Sequence, residues 1–147
     1  MSTLLLEKNL RSSEEDSEVR TLARARTLTV LRRLDGKRKG SVLKFLSESR
    51  LIDEEDPVLY LAGTDLLGAS LIGGELRRAY LSGAYLSGAY LIGAHLIGTN
   101  LSEAIGWTVE QLSQARSLEG ATMPDGQKYE DWLKSKDGGE DGENPES

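Results

Sequence analysis

Residues 59–104 read LYLAGTDLLGASLIGGELRRAYLSGAYLSGAYLIGAHLIGTNLSEA, and their rhythm decides the fold. Leu61, Leu66, Leu71, Leu76, Leu81, Leu86, Leu91, Leu96 and Leu101 recur every five residues without a break. Two positions before each leucine stands a mostly small residue: Leu59, Thr64, Ala69, Gly74, Ala79, Ala84, Ala89, Ala94 and Thr99. Two positions after stands glycine, except at Arg78 and Glu103. A helix needs apolar residues at a period of 3.6 and a strand at a period of 2. Five steps along a helix turn the chain by about 140° net, so the leucines would scatter around the cylinder. Five steps along a strand reverse the side chain each time. A chain that bends once per five residues brings every leucine to one axis. Glycine supplies the positive φ that such a bend needs.

Segments such as AYLSG, AYLIG, AHLIG and TDLLG resemble those of pentapeptide-repeat proteins. The resemblance implies an all-β solenoid, a right-handed quadrilateral β-helix of about two to three coils. In that fold four units make one square coil, with the leucine and the small residue facing inward. The nine leucines listed above are then the structural core. Residues twenty apart would stack, so Leu61, Leu81 and Leu101 share a column. So short an array gains roughly 2 kcal/mol per buried leucine, against an ordering cost of about 1–2 kcal/mol per residue. Its ends are also open sheet edges. Capping flanks or end-to-end homodimerisation through the coil ends are therefore expected.

The flanks suit capping. Residues 1–17 are polar and read as a flexible N-terminus. Residues 18–56 read as a helical hairpin cap followed by an acidic linker. Its first helix, 18–34, carries Val19, Leu22, Ala23, Val30 and Leu34 on one stripe, with Asp35-Gly36 ending it. Ser41 is the expected cap of the second helix, whose apolar face would be Val42, Phe45 and Leu46. The repeat proper is expected over 57–105. A C-terminal helical cap over 106–134 opens on Thr108-Val109-Glu110-Gln111, a capping-box pattern, with a short helix running to about Arg116. Leu118 and Met123 regain the five-residue spacing, and Tyr129, Trp132 and Leu133 could pin this cap. Residues 135–147 have the composition of a disordered acidic tail. ARARTLTVLRRLDGKRKGSVLKFLSESRLI and EQLSQARSLEGATMPDG also resemble the flanks of cyanobacterial members of the family. Those flanks often follow transmembrane helices, and no apolar run of that length precedes them here.

The net charge of −6 is unevenly placed. Residues 21–52 carry +7, Asp53–Asp56 carry −4, the repeat carries −1 and residues 105–147 carry −6. With no cysteine there is no disulfide and no thiolate metal site. A cytoplasmic location and no cofactor are expected. His95 is the one histidine, which excludes a His-rich metal site or a Cys–His pair. Ser82, Ser87 and Ser102 stand at turn positions without a base beside them, and the glycines are spaced for bends, not for a phosphate loop. The composition therefore points away from an enzyme.

Two surfaces are candidate sites. In the geometry that the resemblance implies, Tyr60, Tyr80, Tyr85, Tyr90, Leu67, Ile72 and Ile92 fall at outward positions and could form a partner-binding surface. Arg32, Arg33, Lys37, Arg38, Lys39 and Lys44 form a basic cluster that could contact an anion or a membrane surface. The reading is a non-enzymatic scaffold for protein–protein interaction with an unidentified protein partner. A peripheral membrane adaptor is the alternative, and a DNA-mimic topoisomerase inhibitor a weaker one, because the repeat is short and nearly neutral. Nucleic acid is not an expected partner.

Overall fold

The computed structural model describes residues 18–52 and 57–139. The expected flexible N-terminus, the acidic linker at 53–56 and residues 140–147 lie outside the described residues. The repeat forms a β-helical solenoid. Parallel bridges join Asp65 to Tyr85, Ser70 to Tyr90, Glu75 to His95 and Tyr80 to Asn100, each pair twenty residues apart. Four five-residue units thus close one turn of the coil. Backbone bonds run from each turn to the next, for example Leu66 N–H to Tyr85 O at 3.0 Å and Leu71 N–H to Tyr90 O at 2.9 Å.

The interior follows from the two inward positions of each unit. All nine repeat leucines are buried, and between them lie Ala69, Ala79, Ala84, Ala89 and Ala94. Thr99 is buried too, and its hydroxyl donates to Leu76 O at 2.6 Å. The Thr64 hydroxyl is equally buried but has no hydrogen-bond partner among the described residues. The glycines after the leucines all have positive φ. Arg78 and Glu103 stand in the same place and adopt the same conformation, with φ of 60° each, so the bend overrides the side chain's steric preference.

After Leu101 the coil continues. The ladder offset is still twenty at Tyr85–Ile105 but becomes twenty-two at His95–Ser117 and Asn100–Thr122. Two residues are therefore inserted between them. The insertion holds the third helix, Val109–Ser113, whose capping box is formed in both directions by Thr108 and Gln111. This helix stops at Ser113, short of the expected Arg116. Gln111 Nε2 then donates to Leu86 O at 2.8 Å and Ala89 O at 3.0 Å, tying it to the turn below. Leu101, Leu112, Leu118 and Met123 are all buried and build a third turn.

Two helices lie over the first turn: α1 (Glu18–Arg33) and α2 (Gly36–Glu48). The short helix Val109–Ser113 is α3, and Tyr129–Gly139 is α4. Several expectations for α1 and α2 fail for one physical reason. The end of a β-helix is a row of backbone groups around an apolar interior. The helices therefore meet it partly with Leu31, Leu43 and Leu46, with the expected Ala23 and Val42 packed beside them, and partly with polar side chains and close backbone approach. Val19, Leu22 and Val30 of α1 are exposed, whereas Leu31 is fully buried. Arg24 instead reaches the edge: Nε donates to Tyr60 O at 2.9 Å and Nη2 to Ala62 O at 3.1 Å. In α2 the buried apolar residues are Leu43 and Leu46, while Phe45 is exposed. Asp35, not Ser41, is the N-cap of α2: its carboxylate accepts from Arg38 N–H at 2.8 Å. Ser41 sits inside the helix, donating to Lys37 O.

Gly36 and Gly40 stand one turn apart on α2. A Cβ on either would overlap a backbone oxygen of the first turn, that of Gly68 or of Ser70 respectively. Gly36 O also accepts from Ser70 N–H at 2.9 Å. At the other end, Thr122 pairs antiparallel with Lys128, Tyr129 N–H donates to Ala121 O at 2.8 Å, and the Trp132 side chain is buried. The Tyr129 and Trp132 rings stack at 6.2 Å, and Lys136 Nζ lies 4.7 Å from the centre of the Trp132 ring. These contacts carry α4 to Gly139, so residues 135–139 are helical where a disordered tail is expected. Leu133 is exposed and pins nothing.

Candidate functional site

The outward side chains fall into columns set by the bridges. Tyr60, Tyr80, Asn100 and Thr122 line one side; Asp65, Tyr85 and Ile105 the next; Ser70 and Tyr90 the third; Glu75, His95 and Ser117 the fourth. The seven candidate partner-binding residues are thereby divided. Tyr60 and Tyr80 are half-buried on the first side, with ring centres 4.9 Å apart and planes tilted by 58°. Leu67 and Tyr85 are exposed on the second side, beside exposed Ile105, which the sequence reading missed. Tyr90, Ile72 and Ile92 belong to the third side, at 56%, 59% and 50% exposure. The second and third sides adjoin, so five of the seven share one apolar surface and the Tyr60–Tyr80 pair does not.

The basic cluster changes character. Lys39 is buried, contrary to its assignment as an anion or membrane contact. Its ammonium donates to Asp65 Oδ1 at 2.8 Å and to Leu67 O at 3.3 Å. Burial pushes the Asp65 carboxyl up, but the Lys39 hydrogen bond, the Leu67 N–H and the charges of Lys39 and Arg32 together hold it below its ordinary value. Lys39 is thus a fastener between α2 and the first turn. Arg38 forms an exposed pair with Asp35 at 2.6 Å, a contact of small energetic weight. Arg32, Arg33, Lys37 and Lys44 remain exposed. Leu28 and Arg32 of α1 and Gly63, Thr64, Asp65, Leu67 and Tyr85 of the coil line a hollow of about 530 Å³.

His95 is half-buried, with Nε2 3.5 Å from Glu75 Oε2 in the same column. Ser102 Oγ bonds to Ser82 Oγ at 3.1 Å and to Asn100 Oδ1 at 2.7 Å, a ladder of neutral side chains with no base. Among the described residues no three of His, Cys, Asp and Glu gather as metal ligands, and no helix is long and apolar enough to cross a membrane. Arg24, Gly36 and Gly40 carry structural contacts that the sequence reading missed. The available signal was the four-residue Gly36–Gly40 spacing, which places both glycines on one helical face.

A coil of four five-residue units, with leucine inward and glycine at the bend, is the geometry of a pentapeptide β-helix. Residues 60–88 and 75–105 match the family model described as pentapeptide repeats, in eight copies. The segment 60–105 is a pentapeptide-repeat array. Among solved structures, the chain is similar to HetL, a pentapeptide repeat protein involved in heterocyst differentiation regulation from the cyanobacterium Nostoc sp. strain PCC 7120. The identity is 31%, the TM-score 0.35, and the match covers 48% of this chain and 41% of HetL. The chain therefore spans less than half of HetL's length. None of the curated proteins matches the chain.

Proposed function

We propose that this chain is a non-enzymatic scaffold that presents one side of its coil to a protein partner. The observation that carries this reading is the strip of Ile72, Tyr90 and Ile92, each at least half exposed on a backbone held by inter-turn hydrogen bonds. Leu67, Tyr85 and Ile105 extend it around one corner. Grouped apolar side chains on a rigid surface suit partner contacts, and tyrosine is favoured at interface hot spots. A fixed backbone also lowers the ordering cost of binding.

In this reading α1 and α2 cap the first turn, and the segment from Lys128 through α4 caps the last. Arg24, Gly36 and Lys39 engage groups at one end, and Lys128, Tyr129 and Trp132 at the other. Occupied ends favour a side-on partner over end-to-end dimers. A membrane role through the basic hairpin loses Lys39 to the interior. The test is crosslinked capture from native cells with a tagged chain carrying Tyr90→Asp and Ile92→Asp. Loss of a partner captured by the wild type, with unchanged circular dichroism and Tm, is expected. Capture that persists in the double variant refutes the assignment of this side.

A further inference from the structure

We propose that Arg78 and Lys128 form a binding site for a phosphate group at one corner of the coil. A hollow of about 280 Å³ there is lined by Arg78, Tyr80, Gly98, Asn100, Thr122 and Lys128. Its two charged residues are both cations. The backbone brings them together from distant parts of the chain. Tyr80, Asn100, Thr122 and Lys128 are successive rungs of one column. Arg78 stands at the adjoining bend, where its N–H bonds to Ile97 O at 2.9 Å and its side chain passes Gly98.

The remaining groups are donors. Asn100 Oδ1 accepts from Ser102 N–H at 3.0 Å and from Ser102 Oγ, which leaves the amide NH2 as the end free to donate. Lys128 Nζ lies 3.5 Å from Gly120 O and 3.4 Å from Thr122 Oγ1, both long contacts that leave the ammonium donor capacity for a ligand. Tyr80, Gly98 and Thr122 complete the lining. The nearby Glu130 carboxylate is held first by the Gly120 N–H, at 2.9 Å. A guanidinium side chain and an ammonium side chain lining one hollow with neutral polar residues suit a phosphate dianion, with the Arg fork able to hold two of its oxygens.

Arg78 also occupies a bend where seven of the nine repeat units carry glycine, and it does so at φ 60°. Glu103 shares that conformation but does not line the hollow, so the conformation alone is not the argument. It supplies the test, because Arg78→Gly removes the cation while restoring the residue the bend prefers. The site lies two repeat units from the Ile72–Ile92 strip, so its failure would leave the partner reading intact.

The experiment is an NMR titration of the full chain with inorganic phosphate and, separately, with a phosphoserine peptide and its unphosphorylated form. Sodium chloride at matched ionic strength serves as the blank. Saturable shifts at the Gly98, Asn100 and Thr122 amides are expected. Tighter binding of inorganic phosphate assigns a free anion, and tighter binding of the phosphopeptide a phosphorylated side chain. Arg78→Gly and Lys128→Gln should each weaken binding about tenfold or more, the scale of one charged hydrogen bond. Lys134→Ala, an exposed lysine that does not line the hollow, should change nothing. Shifts that do not saturate, that chloride reproduces, or that survive Arg78→Gly in a folded protein overturn the proposal.

Discussion

Gly40→Ala sets two physical effects against each other with opposite signs. Inside a helix, alanine is favoured over glycine by about 1 kcal/mol, so propensity alone predicts stabilisation. Docking predicts the reverse. The new methyl would overlap Ser70 O, far inside the 3.0 Å below which real Cβ contacts do not occur. Because Ser70 O belongs to the backbone of the first turn, it cannot swing aside, and α2 must retreat. The retreat stretches two neighbouring links, Ser70 N–H to Gly36 O at 2.9 Å and Lys39 Nζ to Asp65 Oδ1 at 2.8 Å. Weakening hydrogen bonds worth about 1 kcal/mol each, with an overpacking cost of about 1–3 kcal/mol, outweighs the propensity gain. The net loss is about 1–3 kcal/mol. For a chain of this size that lowers Tm by roughly 2–4 °C per kcal/mol. Thermal unfolding followed by circular dichroism measures it, with Ser41→Ala as the control, since that side chain is exposed on the same helix. Amide exchange at Ser70 should quicken only in Gly40→Ala. A Tm equal to or above wild type would mean that propensity wins and that α2 does not rest on the coil.

Further outcomes follow from the interior and the ends. Thr64→Val should be neutral or stabilising by up to about 1 kcal/mol because its buried hydroxyl has no partner among the described residues, whereas Thr99→Val should cost about 1 kcal/mol by losing the bond to Leu76 O; paired urea denaturation curves compare them. Leu86→Ala, in the middle turn, should cost about 2–5 kcal/mol by cavity formation, and a loss near zero in the same assay would contradict its burial. Asp65→Asn should cost about 1–3 kcal/mol by leaving the Lys39 ammonium without its counter-charge. The Asp65 carboxyl is held below its ordinary value when folded, so the unfolded chain takes up its proton first as pH falls. Its contribution is full above the ordinary carboxylate value, near pH 4, and is lost as pH drops below that; wild-type stability should therefore fall below about pH 4 more steeply than that of Asp65→Asn.

The five-residue period carried the coil because every turn repeats one environment: a leucine inward, a small residue beside it, a bend at positive φ. The resemblance to pentapeptide-repeat proteins sorted outward from inward positions, which is why Ile72, Ile92, Tyr85 and Tyr90 were legible as surface. Ile105 escaped because it follows the last in-phase leucine. The third turn was half legible. Leu118 and Met123 kept the spacing, but the two-residue insertion around α3 broke the phase that would have linked them to Leu96 and Leu101.

The helices were misread for a different reason. Sequence patterns assume that a helix buries its apolar stripe against an apolar surface. Here α1 and α2 bury Leu31, Leu43 and Leu46 but also meet a rim of peptide groups, and a peptide group is satisfied by a donor, an acceptor or a second backbone brought close. Arg24, Lys39, Gly36 and Gly40 do this work, while Val19, Leu22 and Phe45 are left in solvent. The same logic bears on function. With both ends occupied, large apolar side chains stay exposed along the sides, where Ile72 and Ile92 stand twenty residues apart on a backbone joined by inter-turn hydrogen bonds. A partner that reads this protein would meet Ile72 and Ile92 one turn apart, at a separation of about 4.8 Å fixed by the ladder. An insertion of one unit between them, moving Ile92 a quarter-turn around the coil, should abolish capture even though every side chain is retained.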